Sequence, residues 1–442
     1  MKRVLIITYY WPPSGGSGVQ RWLKMSKYLP ENGWQPVIYT AKDAEYPVED
    51  KSLEKDVTPE AEVIRRPIVE PYSFYKKFLG IKKGEKVKAG FINEGKKKSS
   101  WKENLSVWLR GNFFIPDARC WWIKPSVRFL KKYLKEHPVD AMISTGPPHS
   151  MHLIAKALHT KLNIPWVADF RDPWTEIDYY DKFKLTRWAD RKHHRLEHEV
   201  LSTADKVVTV SPNWASRLDR LGAKGALTIY NGYDGGDSTQ KTSSLPKEFT
   251  LTYLGVLSAI QNPENLWKAI GELINENDDF SKDFRINMIG QIDSSVKQSI
   301  EDNKLSDYVT FSPYISHDKV SQVQKNTTML LLLLMPDTEI RAKGLLTGKM
   351  FEYLASGRPI LCIGPEDGDA AHIINECNAG ATAGFDNKEK IKEIIKDYYN
   401  RFITTGLPDN TTASIEKYSR KALAKEYSKL LEGLSQNHHD NG

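Results

Sequence analysis

Short apolar runs without polar alternation recur along the chain, each followed by a loop and then by apolar residues at helical spacing. Such runs predict strands at 2–10, 35–41, 62–66, 140–144, 166–170, 206–211 and 227–231. After a break they return in a strand ending at 254 and in strands at 285–289, 309–311, 329–334 and 359–363. A run with no polar face belongs to a strand covered on both sides, the environment of a parallel sheet between helices. Helices are expected over 19–29, from His149 and Ser150 onward, from about Pro263, over 349–356 and over 414–434. The last carries Ile415, Tyr418, Leu423, Tyr427 and Leu430 on a broad apolar face. The break at 232–244 is rich in Gly, Asp, Ser and Thr and reads as a linker between domains. A chain of 442 residues is also too long for a single core. The predicted fold class is therefore α/β, with two doubly wound domains.

The stretch TGKMFEYLASGRPILCIG, residues 347–364, carries the most chemistry. Thr347 and Gly348 stand where a helix begins, so free backbone N–H groups and the helix dipole face outward at a place suited to phosphate. Lys349 adds a positive charge, and Glu352, one turn on, shares its side of the helix. A lysine for a diphosphate and a carboxylate for sugar hydroxyls would suit a nucleotide-sugar pocket. The same residues read equally well as a surface helix with an ordinary i,i+3 ion pair.

TGKMFEYLASGRPIL resembles the donor-site helix and following strand of GT-B glycosyltransferases, particularly glycosyltransferase family 4, where a glutamate helix precedes A-x-G-x-P and an apolar strand. The resemblance implies a GT-B fold of two Rossmann-like doubly wound domains facing a cleft. It divides the chain into an acceptor domain at 1–232, a donor domain at 245–412 and a helix at 413–434 that packs back on the first domain. Glu352 falls on the family's second glutamate, expected on the ribose hydroxyls. The first would fall on Gly344, and the two cations that usually follow the turn at Gly255 are replaced by Val256 and by Gln261 or Asn262. The anchoring of the diphosphate is thereby expected to shift to Lys349 and the helix amides, with Arg341 or Lys343 as substitute cations. Residue Glu339 would line the same loop.

In the first half, the loop YYWPPSGGSG between the first strand and helix gives Gly15 and Gly16 as places of close backbone approach on the acceptor side; a purely structural turn is the alternative. NGWQPVIYT matches the family's next strand except that Trp34 stands for a histidine. TGPPHS resembles a cleft loop of some family 4 enzymes and makes His149 an acceptor-side candidate, while His152 is expected to pack. The family histidine after the strand at 166–170 falls on Arg171. Asp169, Arg171 and Asp172 then lie at a strand's C-terminal end, where open α/β sheets bind ligands; a structural Arg-Asp pair is the alternative.

Three other features change the picture. Ten lysines crowd 76–104, and Trp101, Trp108, Phe113, Phe114, Trp121 and Trp122 follow closely, so the insertion at about 70–125 suits either an anionic membrane surface or a solvated segment whose rings pack inward. Nothing in it matches a nucleic-acid module. His194, Glu197 and His198 form H-x-x-E-H on a helix, a zinc peptidase pattern, but the surrounding segment resembles a family 4 helix and no metal is expected. Cys120, Cys362 and Cys377 lack paired spacing and read as reduced thiols. The run Val4–Ile7 leads straight into a loop, so no signal peptide is expected, and the run at 329–335 is too short to span a bilayer. Net charge is +7, which suits anionic partners.

Together these imply a cytoplasmic enzyme, peripheral on the inner membrane face. It would transfer a sugar, with retention of configuration and without a metal, from a nucleotide diphosphate sugar to a saccharide or lipid-linked acceptor. The work would belong to polysaccharide or glycolipid synthesis, with no cofactor beyond the sugar nucleotide. A nucleotide-sugar epimerase and an inactive GT-B binding protein are the alternatives.

Overall fold

The computed structural model describes residues 1–70, 101–177, 180–234, 247–315, 317–336, 341–406 and 413–440. They form two compact units, one running to Asn231 and resuming at Arg420, the other being Gly232–Ser419. Most of the predicted linker, the loop residue Glu339 and the lysine-rich part of the insertion lie outside the described residues.

The first unit comprises β1 (Lys2–Ile7), α1 (Ser17–Tyr28), β2 (Trp34–Lys42), β3 (Glu62–Pro67), α2 (Trp101–Phe113), α3 (Ile123–Glu136), β4 (Ala141–Gly146), α4 (Ser150–Leu162), β5 (Trp166–Phe170), α5 (Arg187–Thr203), β6 (Lys206–Thr209), α6 (Pro212–Leu221) and β7 (Leu227–Thr228). Its strands are all parallel, in the order β3-β2-β1-β4-β5-β6-β7. The alternation along β1 shows why its apolar run is unbroken. Leu5 and Ile7 pack with Tyr39, Met142 and Ile154 on one face, and Val4 and Ile6 with Trp22 and Leu23 on the other.

The second unit repeats the plan with β8 (Phe249–Leu257), α7 (Glu264–Glu276), α8 (Asp278–Asp283), β9 (Phe284–Ile292), α9 (Ser294–Asp302), β10 (Val309–Ser312), α10 (His317–Lys325), β11 (Met329–Leu333), α11 (Gly348–Ser356), β12 (Ile360–Ile363), α12 (Asp369–Glu376), β13 (Gly380–Ala383) and α13 (Lys388–Thr405). Its parallel order is β10-β9-β8-β11-β12-β13. The edge strand β13, Gly-Ala-Thr-Ala, offers no apolar run and leaves no periodic signal in the sequence. The helix expected over 414–434 is in fact two pieces. A 3-10 turn, Ala413–Tyr418, ends at Ser419, and α14 (Arg420–Asp440) then joins the first unit. Among the described residues no helix is long and apolar enough to cross a membrane.

One buried ion pair binds the first unit together. Asp169, near the end of β5, is fully buried and accepts from Arg21 Nη2 at 2.8 Å, Trp22 Nε1 at 2.7 Å, Thr145 Oγ1 at 2.9 Å and Tyr427 OH at 2.7 Å. Arg21 also donates to the carbonyls of Ile229 and Tyr230, both at 2.8 Å. Burial alone would push the Asp169 carboxyl up, but Arg21 and these donors hold it below its ordinary value. A desolvated pair is tolerable only when its remaining hydrogen-bonding capacity is filled, as it is here. Asp169→Asn would leave the Arg21 charge buried and uncompensated, and a loss of about 3–5 kcal/mol in urea unfolding is expected. Tyr427→Phe should cost less, about 1.5–3 kcal/mol. An unchanged urea midpoint for Asp169→Asn would remove the pair from this role.

Candidate functional site

The donor-side residues lie within the second unit. Thr347 is the N-cap of α11, with extended backbone at φ −80° and ψ 150°, yet its hydroxyl caps no amide, and its Oγ1 is buried without a hydrogen-bond partner. Beside Gly348 there is open space where a side chain would stand. Lys349 folds its ammonium over the Tyr253 ring, 4.3 Å from the centroid. Gly255, at φ +128°, makes this possible, because a Cβ there would sit 2.9 Å from Lys349 Nζ. Gly255 pairs in register with Gly290, whose own Cβ would strike the Gly255 carbonyl at 2.1 Å. Burial pulls the Lys349 ammonium down to about 8, with Glu352 pulling the other way. Gly255, Thr347, Gly348, Lys349 and Glu352 therefore converge on one helix start. That start combines a cation, amides without a side-chain cap and an unpartnered hydroxyl, a set of groups suited to an anion.

The two substitute cations have partners or neighbours of their own. Lys343 Nζ is 2.6 Å from Asp367 on the surface. Arg341 is half-buried at the N-cap of the 3-10 turn Ala342–Gly344, which packs beside α12.

The acceptor-side candidates lie on loops after β1, β4 and β5 of the first unit. Gly15 has no room for a side chain, since a Cβ would meet Val48 and Asp50 at 3.1 Å, and its N–H donates to the Val48 carbonyl at 2.8 Å. Its close backbone approach is thus to the chain itself. Gly16, at φ +82°, has open space around it and precedes α1 without a side-chain cap. Arg171 is buried and donates to the carbonyls of Gly18 and Pro147, so its guanidinium ties the first loop to the TGPPHS loop. Asp172 follows it, half-buried.

His149 precedes α4, but the helix start is already filled by Asp117, whose carboxylate accepts from Ser150 N at 2.8 Å and Ser150 Oγ at 2.9 Å. His149 itself is buried and stacked flat on Trp174, 4.7 Å between centroids and 5° between planes, with Nδ1 lacking a partner. Burial, with His152, His193 and Arg171 nearby, drives its pKa well below the ordinary value, so the ring is neutral at physiological pH. His152 packs on Phe170 at 4.4 Å and shares a hydrogen bond of 2.8 Å with Ser144, and burial takes it to about 3.

Sequence reasoning left Trp174 without a role. It supports His149 on its face and donates Nε1 to His193 Nδ1 at 3.1 Å, a contact made across a loop and helix that no local period signals. The H-x-x-E-H residues are each engaged separately. Glu197 accepts from the Thr175 hydroxyl at 2.5 Å, His198 Nδ1 lies 2.9 Å from the Leu221 carbonyl, and His194 lies 3.4 Å from Asp190. Among the described residues no group of three His, Cys, Asp or Glu converges as a metal cage.

Residues 106–232 match the family described as Glycosyl transferase 4-like domain. No curated protein sequence matches the chain. Among solved structures, sucrose-phosphate synthase from Thermosynechococcus elongatus is similar at 13% identity and a TM-score of 0.56, over 100% of this chain and 98% of that one. A mutant of S. aureus TarM in complex with Fondaparinux, alpha-GlcNAc-glycerol and UDP is similar at 11% identity and a TM-score of 0.60, over 98% and 100%. Anabaena HepE in complex with UDP-glucose is similar at 12% identity and a TM-score of 0.55, over 100% and 99%. At such identities the likeness speaks for the fold. With two parallel-sheet units of this order the chain has the GT-B fold, and its segment from α2 to β7 is similar to the glycosyl transferase 4-like family.

Proposed function

We propose that the protein is a retaining glycosyltransferase that moves a sugar from a nucleoside diphosphate to an acceptor hydroxyl. The observation that carries this reading is Lys349, a cation kept in an apolar niche over Tyr253 at the start of α11, where it costs stability and is best explained by an anionic ligand. Displacement of its pKa from 10.5 to about 8 corresponds to roughly 3 kcal/mol of disfavour for the charged form. A diphosphate would relieve that and accept from the Thr347 hydroxyl and the first amides of α11. Glu352, one turn on, would take the ribose hydroxyls.

In the reaction the bond from anomeric carbon to diphosphate oxygen breaks with its electron pair on the diphosphate, and the acceptor oxygen bonds to that carbon. The new negative charge would fall beside Lys349 and the helix dipole, where preorganised donors stabilise it most. The acceptor proton would pass to the leaving diphosphate or to one of the first unit's bases. Neutral His149 and Asp172 are the candidates, with Arg171 as the positioning residue that holds their two loops. Retention of configuration and freedom from a metal are supported by the family resemblance. A saccharide or lipid-linked acceptor, of the kind used in surface polysaccharide or glycolipid synthesis, is the class to search. Because two of the similar structures hold UDP or UDP-glucose, uridine is the first base to try.

Calorimetric titration with UDP, GDP, ADP and NAD in EDTA should show binding of one nucleoside diphosphate that is lost in Glu352→Ala; failure of all four would sink the donor site. Lys349→Ala should lower turnover about 100- to 1,000-fold, the scale of losing one oxyanion donor. Affinity should be level below pH 8 and then fall by up to about tenfold per pH unit as Lys349 loses its proton, a dependence that Lys349→Ala should abolish.

The same shift predicts a gain in stability. The folded pKa lies below the unfolded one, so the penalty is full below pH 8 and disappears as pH rises toward 10.5. Lys349→Met should therefore raise the urea midpoint at pH 7, and a lower midpoint would contradict the cost assigned to this charge.

A further inference from the structure

Three large aromatic side chains of the first unit stand in solvent: Phe113 at 65% exposure, Trp121 at 51% and Trp188 at 63%. Contacts of their neighbours place them in one region of this unit. Asn112, next to Phe113, accepts from the backbone N–H of Thr186 at 2.7 Å, and Thr186 caps α5 two residues before Trp188. The ring of Trp121 meets Phe114 edge-on at 5.3 Å. Lys192 reaches over the Trp188 ring at 4.8 Å and also acts on the thiol of Cys120, the neighbour of Trp121. Trp122 anchors this corner from beneath, stacked on Tyr39 at 5.1 Å and donating to the Pro67 carbonyl at 3.1 Å.

Single exposed apolar residues are ordinary, but adjoining aromatics of this size are not. The charge around them is mostly of one sign. Lys124, Lys182, Lys184, Arg187 and Arg191 are exposed there, against one exposed carboxylate, Asp181, and the half-buried Asp190, which accepts from the Tyr180 hydroxyl at 3.0 Å. Rings with an apolar body settle at the headgroup level of a bilayer, and cations beside them meet the phosphates of anionic lipid.

We propose that the surface carrying Phe113, Trp121 and Trp188 docks on an anionic lipid bilayer, with the three rings among the headgroups and the surrounding lysines and arginines on the lipid phosphates. This surface belongs to the first unit and Lys349 to the second, so the inference is tested independently of the donor site.

The test is cosedimentation of the full chain with phosphatidylcholine vesicles, with and without phosphatidylglycerol, at low and high salt. Binding should require phosphatidylglycerol and weaken with salt. The triple variant Phe113→Ser, Trp121→Ser, Trp188→Ser should bind at least about tenfold more weakly. Arg187→Gln and Arg191→Gln should each lose about fivefold, the equivalent of about 1 kcal/mol per cation. The urea midpoint and nucleotide titration of each variant serve as controls for folding. Undiminished binding by the triple variant, equal binding to phosphatidylcholine alone, or burial of the three rings in a dimer would overturn the proposal.

Discussion

The contact between Arg21 and Asp169 sets the geometry of the first unit's functional edge. Because both oxygens of a fully buried carboxylate are engaged, β5 has no freedom to shift along its neighbours, and the positions of Arg171, Asp172 and Trp174 follow from where it ends. The same guanidinium holds the carbonyls after β7, so α1, β5 and the end of the sheet share one point of attachment. Arg171 continues the pattern two residues after Asp169 by gripping two loop carbonyls. The loops after β1, β4 and β5 are thus held by charged hydrogen bonds rather than by apolar packing alone, which gives them direction as well as position.

The second unit treats its buried cation in the opposite way. Arg21 is surrounded by acceptors and is pushed further toward its charged form, whereas Lys349 lies against an aromatic face and is pushed toward losing its proton. One charge is part of the scaffold, and the other is left available. Such a contrast between two buried cations in one chain is what makes Lys349, and not Arg21, the candidate for binding, since a desolvated cation against an aromatic face would gain by meeting an anion.

Much of the fold was legible because strands buried on both faces leave unbroken apolar runs, as in β1, β11 and β12. β13 was not, because Gly-Ala-Thr-Ala buries backbone and small groups without a hydrophobic signature. The break at Ser419 was hidden for another reason: the apolar period of Ile415, Tyr418, Leu423 and Tyr427 runs across it, although the two pieces belong to different units. At the candidate site, Lys349 and Glu352 could be read because a helix start and its first turn are local. The stack of His149 on Trp174 and the exposed group around Trp188 could not, since each arises where segments distant in sequence meet. The ion pair of Lys343 was hidden for the same reason, as its partner Asp367 lies 24 positions away.

The placement of α14 bears on how the molecule comes into being. Tyr427 completes the shell around Asp169 from a position 258 residues later in the chain, and the whole second unit is synthesised between them. During translation the first unit must therefore wait with its central ion pair only partly covered, while a complete neighbouring domain is made and can fold first. Contacts so distant in sequence form slowly. The unit that begins the chain accordingly cannot be completed until the other has been synthesised.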